Sequence, residues 1–208
     1  AWVDRPYAAT DTPGVGLVQT WSAATPADEG KSLPALYEDE GNLRVVVTGR
    51  DGGIRQYDGT NSPGVELWAV ATGQFADATP TVDPATGNIY VPLGDGSISV
   101  AGLTKDGRRI WESETQPVFT WIEGTNNRQR AQSAGALSHD GATFYFQTES
   151  VEGDGRLYAV NTANGTVKWS YETQSQGSEM TASSPIVTPN GVVVVGNNEG
   201  DTYFAIQD

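Results

Sequence analysis

The apolar positions of this chain come in short bursts. Leu43-Arg44-Val45-Val46-Val47-Thr48, Ala142 through Gln147, and Arg156-Leu157-Tyr158-Ala159-Val160-Asn161 are compact runs rich in β-branched and aromatic residues. Runs this short suit strands, and no window of helical length carries apolar residues at the 3.6-residue spacing of an amphipathic helix. Turn residues separate the runs, as in Asp51-Gly52-Gly53, Asp95-Gly96, His139-Asp140-Gly141 and Gly153-Asp154-Gly155. Asp-Gly between two β-rich runs predicts a tight hairpin, because Gly adopts positive φ without steric cost. The pattern predicts a chain of strands and turns.

The pattern also repeats. Trp21, Trp68, Trp111 and Trp169 each end a segment of one design, and they are spaced by 47, 43 and 58 residues. The first strands are Leu33–Leu36, Thr79–Val82, Ser133–Leu137 and Ser184–Val187. The second strands are Leu43–Thr48, Asn88–Leu93, Ala142–Gln147 and Val192–Gly196. A third strand follows each pair, and in the first three copies a Trp-bearing fourth strand comes next, as in Arg156–Asn161 and Thr166–Trp169. Four strands per unit with a period in the forties predict the blades of a β-propeller. The last copy stops after its third strand, Tyr203–Asp208, while Asp11 through Trp21 reads as a third turn and fourth strand. The expected fold is therefore an all-β, four-bladed propeller whose last blade is closed by the N-terminal strand. Closure of this kind removes exposed strand edges. The blades fall at about 22–68, 69–111, 112–169, and 170–208 with 11–21, behind a tail of residues 1–10. The first and second strands are expected to form the blade cores.

Composition fits this picture and narrows the function. Charged residues make up 18% and hydrophobic ones 37%, because Gly 25 and Pro 11 displace apolar residues in the turns. A net charge of −14 argues against nucleic acid as a partner, since phosphate contacts need clustered Lys and Arg. No apolar stretch is long enough to span a bilayer as a helix. The absence of Cys excludes disulfides and thiolate chemistry, and the single His139 cannot build a His cluster. His139 reads as a solvated turn residue, and Lys105, Arg108 and Arg109 as a solvated basic turn. Asn164-Gly165-Thr166 has the spacing of a glycosylation acceptor, although a turn role for Gly165 explains the triplet without a glycan. The chain starts at Ala without a charged-then-apolar leader, which suits a mature secreted protein or an excised domain.

Gly155 through Trp169, with its Leu157-Tyr158-Ala159-Val160-Asn161 strand, Gly165 and terminal Trp169, resembles the repeat of the quinoprotein (PQQ-like) propellers. The resemblance covers about residues 11–208. It implies that Trp21, Trp68, Trp111 and Trp169 pack between neighbouring blades and dock against turn glycines such as Gly165. It also implies two different jobs. Some members are dehydrogenases that hold pyrroloquinoline quinone and Ca²⁺. Others bind no cofactor and serve as scaffolds, among them the propeller lipoprotein of the outer-membrane barrel-assembly machinery. Those proteins resemble eight-bladed rings, so this chain acts either as a closed monomer or as half of an eight-bladed homodimer.

Two candidate sites follow. The third copy is longer than its neighbours, and its extra length falls between Trp111 and Ser133. Phe119, Trp121, Glu123, Arg128 and Arg130 in that loop are candidate ligand- or partner-binding residues, because aromatics and Arg form hot spots and loops on rigid scaffolds carry function. The competing reading packs Phe119 and Trp121 into the end of the ring. The second turns bring Asp51, Asp95, Asp154, Glu199 and Asp201 to one face, where carboxylates could ligate Ca²⁺. The competing reading is turn chemistry alone. The favoured expectation is a non-catalytic, secreted or periplasmic binding module without a cofactor, recognising a protein or small ligand. A quinone- and calcium-dependent dehydrogenase is the alternative.

Overall fold

The computed structural model describes residues 21–22, 32–73, 76, 78–94, 100–112, 133–148, 156–173, 183–197 and 202–208. The described residues form strands and turns arranged in four antiparallel sheets. The first holds β1 (Ala35–Asp39), β2 (Asn42–Thr48), β3 (Gly53–Asp58) and β4 (Glu66–Ala71). The second holds β5 (Thr81–Val82), β6 (Ile89–Pro92), β7 (Val100–Leu103) and β8 (Arg109–Glu112). The third holds β9 (Ala136–Leu137), β10 (Thr143–Gln147), β11 (Arg156–Asn161) and β12 (Val167–Glu172). The last holds β13 (Ile186–Val187), β14 (Val192–Asn197) and β15 (Thr202–Gln207). Within each sheet neighbours in sequence are neighbours in space, as in propeller blades. Closure by residues 11–21 lies outside the described residues apart from Trp21.

Hairpin chemistry sets the local geometry. β1 and β2 are joined by Glu40 and Gly41, both at positive φ (51° and 79°), the conformation a two-residue turn needs to match strand twist. In the next hairpin Asp51 accepts the Gly53 N–H at 2.9 Å, which fixes the turn before β3. Three first strands are only two residues long. Pro80 and Pro185 stand just before β5 and β13 and lack the N–H that would extend the ladder.

The core sits on the second strands, as the sequence suggested, but on the third strands in place of the first. The largest fully buried side chains are Tyr90, Tyr145, Phe144, Phe146, Ile54, Ile89, Leu93, Leu103 and Leu157. They lie on or beside second and third strands, whereas residues of the first strands are half-buried or exposed. The cause is lateral position: central strands have a ladder partner on each side and a sheet on each face. Three apolar clusters fill the three gaps between consecutive sheets. Val46, Ile54, Ile89 and Leu103 join the first pair. Tyr90, Phe144, Phe146 and Tyr158 join the second, with ring centroids 5.4 to 6.0 Å apart. Tyr145, Leu157, Val193 and Val195 join the third. Each fully buried apolar side chain contributes about 1.5–3 kcal/mol.

Asp58, at the end of β3, shows how a turn outside the core is fixed. Its carboxylate accepts the N–H groups of Thr60, Asn61 and Ser62 at 2.8 to 3.1 Å. The Thr60 N–H leads in holding this carboxyl below the usual carboxylate range. A lowered folded-state pKa contributes stability above the unfolded value of about 4, and that stability is lost as pH falls through the folded value. An Asp58→Asn variant is therefore expected to be less stable than the parent at neutral pH, with the gap closing in strong acid. Urea midpoints across that pH range check the convergence; a constant gap would refute it.

Candidate functional site

Trp68, Trp111 and Trp169 are placed by the alternation of the fourth strands β4, β8 and β12, and Trp21, Trp68 and Trp111 each dock on a turn glycine. Trp68 lies against Gly107 of the next sheet and donates its indole N–H to the Lys105 carbonyl at 2.9 Å. Trp111 lies against Gly165 and donates to the Thr162 carbonyl at 2.7 Å. Trp21 lies against Gly64, with Tyr57 at a 6.5 Å ring separation. All three glycines sit at φ between 73° and 83°, so the left-handed turn and the flat ring need the same missing Cβ. Gly165 thus docks the Trp of the preceding copy, not Trp169 of its own. A register shift accompanies the Trp pair in each four-stranded sheet, next to Gln56, Gly102 and Ala159. Such bulges increase local twist.

Trp169 departs from this pattern. Its N–H donates to the Asp208 carboxylate at 2.7 Å, and the same carboxylate accepts the Tyr145 hydroxyl at 2.5 Å and faces the Lys168 ammonium at 3.4 Å. Burial works against the Asp208 charge, but these donors pull its pKa below the ordinary range. Burial, and then the Asp208 carboxylate, push the Tyr145 hydroxyl upward. This cluster occupies the position that the Thr162 carbonyl holds in the preceding joint. Repeat spacing alone could not disclose it, because a side chain replaces a backbone group.

On the face of the second turns, Asp51 is committed to Arg55 and to the Gly53 N–H. The Arg55 hydrogen bond leads in lowering its pKa. Asp95, Asp154, Glu199 and Asp201 lie outside the described residues. Among the described residues, no group of three His, Asp or Glu side chains converges as an ion would require. Phe119, Trp121, Glu123, Arg128 and Arg130 also lie outside the described residues.

The opposite face carries contacts that the sequence reading treated as solvated turns. His139 is exposed, yet its Nε2 lies 2.8 Å from the Thr188 carbonyl of the last sheet. Lys105 forms an ion pair with Asp39 of the first sheet at 2.7 Å, and Arg109 crosses to the Ala71 carbonyl at the second-turn end of β4. These long side chains bridge gaps between sheets, which a one-dimensional reading of turns does not register. A cleft between the second and third sheets is lined by Asp83, Thr86, His139 and Asp140. Its carboxylates are engaged locally: Asp83 by the Ala85 N–H and the Thr86 hydroxyl, Asp140 by the Ser138 hydroxyl and the Ala142 N–H.

Comparison with known proteins agrees with this architecture. BamB from Moraxella catarrhalis superposes with a TM-score of 0.52 at 18% identity, over 84% of this chain and 53% of that one. The quinohemoprotein alcohol dehydrogenase ADHIIG from Pseudomonas putida HK5 gives 0.56 at 16% identity, over 83% of this chain and 32% of that one. The C-terminal domain of PilY1 from Pseudomonas aeruginosa gives 0.54 at 17% identity, over 86% and 49%. The chain thus spans about half, or less, of the length of these proteins, and at such identities the likeness shows the fold. A search of curated proteins finds no match. A family model described as outer membrane protein assembly factor BamB matches residues 19–207, nearly the whole chain. With its four sheets and Trp joints, this chain belongs to that family of PQQ-like repeat propellers.

Proposed function

We propose that this protein is a non-catalytic binding or scaffold propeller that works outside the cytoplasm and recognises a protein partner through the 112–131 insertion. The observation that carries this reading is the match of residues 19–207 to the BamB family model, on an array of sheets whose Trp side chains are occupied by blade-to-blade joints. A rigid array of this kind holds loops in fixed relation without ordering cost at the moment of binding. Phe119 and Trp121 supply the aromatic anchors, and Arg128 and Arg130 the directional contacts, that interface centres use.

A photo-crosslinking amino acid placed at position 121, and separately at position 139 in the turn before β10, tests the reading in the envelope of the source cell. A discrete adduct is expected from position 121 and none from 139, and Arg128→Ala with Arg130→Ala should weaken it several-fold. Equal labelling from both positions would sink the proposal. Stoichiometric uptake of pyrroloquinoline quinone with Ca²⁺, lost in Asp51→Asn, would replace it with the dehydrogenase reading.

A further inference from the structure

We propose that the cleft between the first turns of the second and third sheets binds a small organic cation, with an alkylammonium or alkylguanidinium group held by Asp83. The cleft encloses about 380 Å³ and is lined by residues 83–86 and 137–141, all of them described. That volume lies within the range of small-molecule sites, about 300–1,000 Å³. Pro84, Ala85 and Leu137 give it apolar wall, and its ionisable groups are Asp83, His139 and Asp140.

Asp83 is the residue that points to a cation. It is 8% exposed, and among the described residues no Lys or Arg pairs with it. Its carboxylate accepts the Ala85 N–H at 2.9 Å and the Thr86 hydroxyl at 2.6 Å. These are two of the roughly four hydrogen bonds a carboxylate can accept. A carboxylate this buried ordinarily has a charged partner. The turn itself does not call for the charge. The Asp83 N–H donates to the Asn88 carbonyl, as the Ser138 and Thr188 N–H groups donate to those of Thr143 and Val192. At those two equivalent positions a neutral hydroxyl completes the turn, accepting the Thr143 and Val192 N–H groups.

The other groups at the cleft are also acceptors. Asp140 takes the Ser138 hydroxyl and the Ala142 N–H on Oδ1 alone. The Ser138 hydroxyl leads in holding this carboxyl below the usual carboxylate range. His139 sets its Nε2 2.8 Å from the Thr188 carbonyl, so the neutral ring carries its proton there and Nδ1 is an acceptor. The lysines of neighbouring turns are committed elsewhere. Lys105, beside Gly87, pairs with Asp39. Lys168 favours the Asp140 charge but donates to the Thr143 hydroxyl at 2.8 Å and faces Asp208. Two carboxylates and an imidazole acceptor suit a donor-rich cation and repel an anion.

His139 is the only His of the chain, so its ring proton signals in nuclear magnetic resonance report on this cleft alone. In mildly alkaline buffer, butylammonium and butylguanidinium are expected to shift those signals saturably, and butanol and butanoate to leave them in place. Asp83→Asn keeps an acceptor oxygen for the Ala85 N–H and should weaken both cations several-fold. Ala85→Trp, at an exposed position, should block the cleft with both carboxylates intact. Equal shifts with butanol would overturn the proposal, as would an unchanged butylammonium affinity in the folded Ala85→Trp protein. Tighter binding of a capped Gly-Lys-Gly peptide than of butylammonium would overturn a free small cation as the occupant.

Discussion

Replacing Gly165 with Ala is expected to cost this protein about 3 kcal/mol, as the sum of two penalties that a second variant separates. The first penalty is local. Gly165 sits at φ 73°, where an L-residue with a Cβ is strained, and holding Ala there costs on the order of 1 kcal/mol. The second is steric. A Cβ at Gly165 would be driven into the six-membered ring of Trp111. The ring cannot retreat without stretching its 2.7 Å hydrogen bond to the Thr162 carbonyl, and forced repacking typically costs about 1–3 kcal/mol. Gly41→Ala is the control. Gly41 has a nearly identical φ of 79°, but a Cβ there meets nothing within 4 Å, so only the backbone penalty of about 1 kcal/mol applies. Guanidinium midpoints of the two variants read the difference directly. Equal losses at positions 41 and 165 would show that the Trp joint does not constrain the turn.

The legibility of this fold followed the same division between local and long-range causes. Hydrophobic bursts, Asp-Gly turns and the Trp spacing located the strands, because each is a local signal with a local cause. Arg156–Asn161 in the sequence pattern coincides with β11 in the structure. The joint at Gly165 was legible through the resemblance to the PQQ-like repeats, which implies a Trp ring docked on the turn Gly. Its partner was not, because which Trp reaches which Gly depends on how one sheet lies on the next. The same limit hid the core. Ser184-Pro185-Ile186-Val187 is as apolar as many buried strands, yet Ile186 stands on a face that no described residue covers. Lys105 and His139 read as solvated turns because their partners, Asp39 and the Thr188 carbonyl, are 66 and 49 residues away in sequence. For the candidate site, the sequence could mark Trp121 and its neighbours as departures from the repeat, but a departure has no internal copy to be compared with. Periodicity reveals what all copies share, which is packing, and is silent on what one copy does alone.

Trp111 is the position where a single truncation should change the manner of unfolding as well as its midpoint. Trp111 stacks on Tyr90 at 6.4 Å, faces Gly102 within its own sheet, docks on Gly165 and donates to Thr162 across the gap. Trp111→Ala removes all four contacts, and a large-to-small change of this kind costs about 3–5 kcal/mol. Trp111→Phe keeps most of the ring packing and loses the N–H, so about 1 kcal/mol is expected for the hydrogen bond. The larger consequence lies in cooperativity. The three core clusters each join one pair of consecutive sheets, so stability is a sum of sheet terms and nearest-neighbour interface terms. Weakening the middle interface should let the first two sheets and the last two unfold separately. Trp68 fluorescence reports on the first half and Trp169 on the second. Single-Trp versions of the Trp111→Ala protein, with the other indoles replaced by Phe, should give non-coincident urea transitions with reduced slopes, whereas the same versions carrying Trp111→Phe should give coincident ones. Coincident transitions in Trp111→Ala would mean that the aromatic contacts of Tyr90 with Phe144 and of Phe146 with Tyr158 hold the middle joint without the tryptophan.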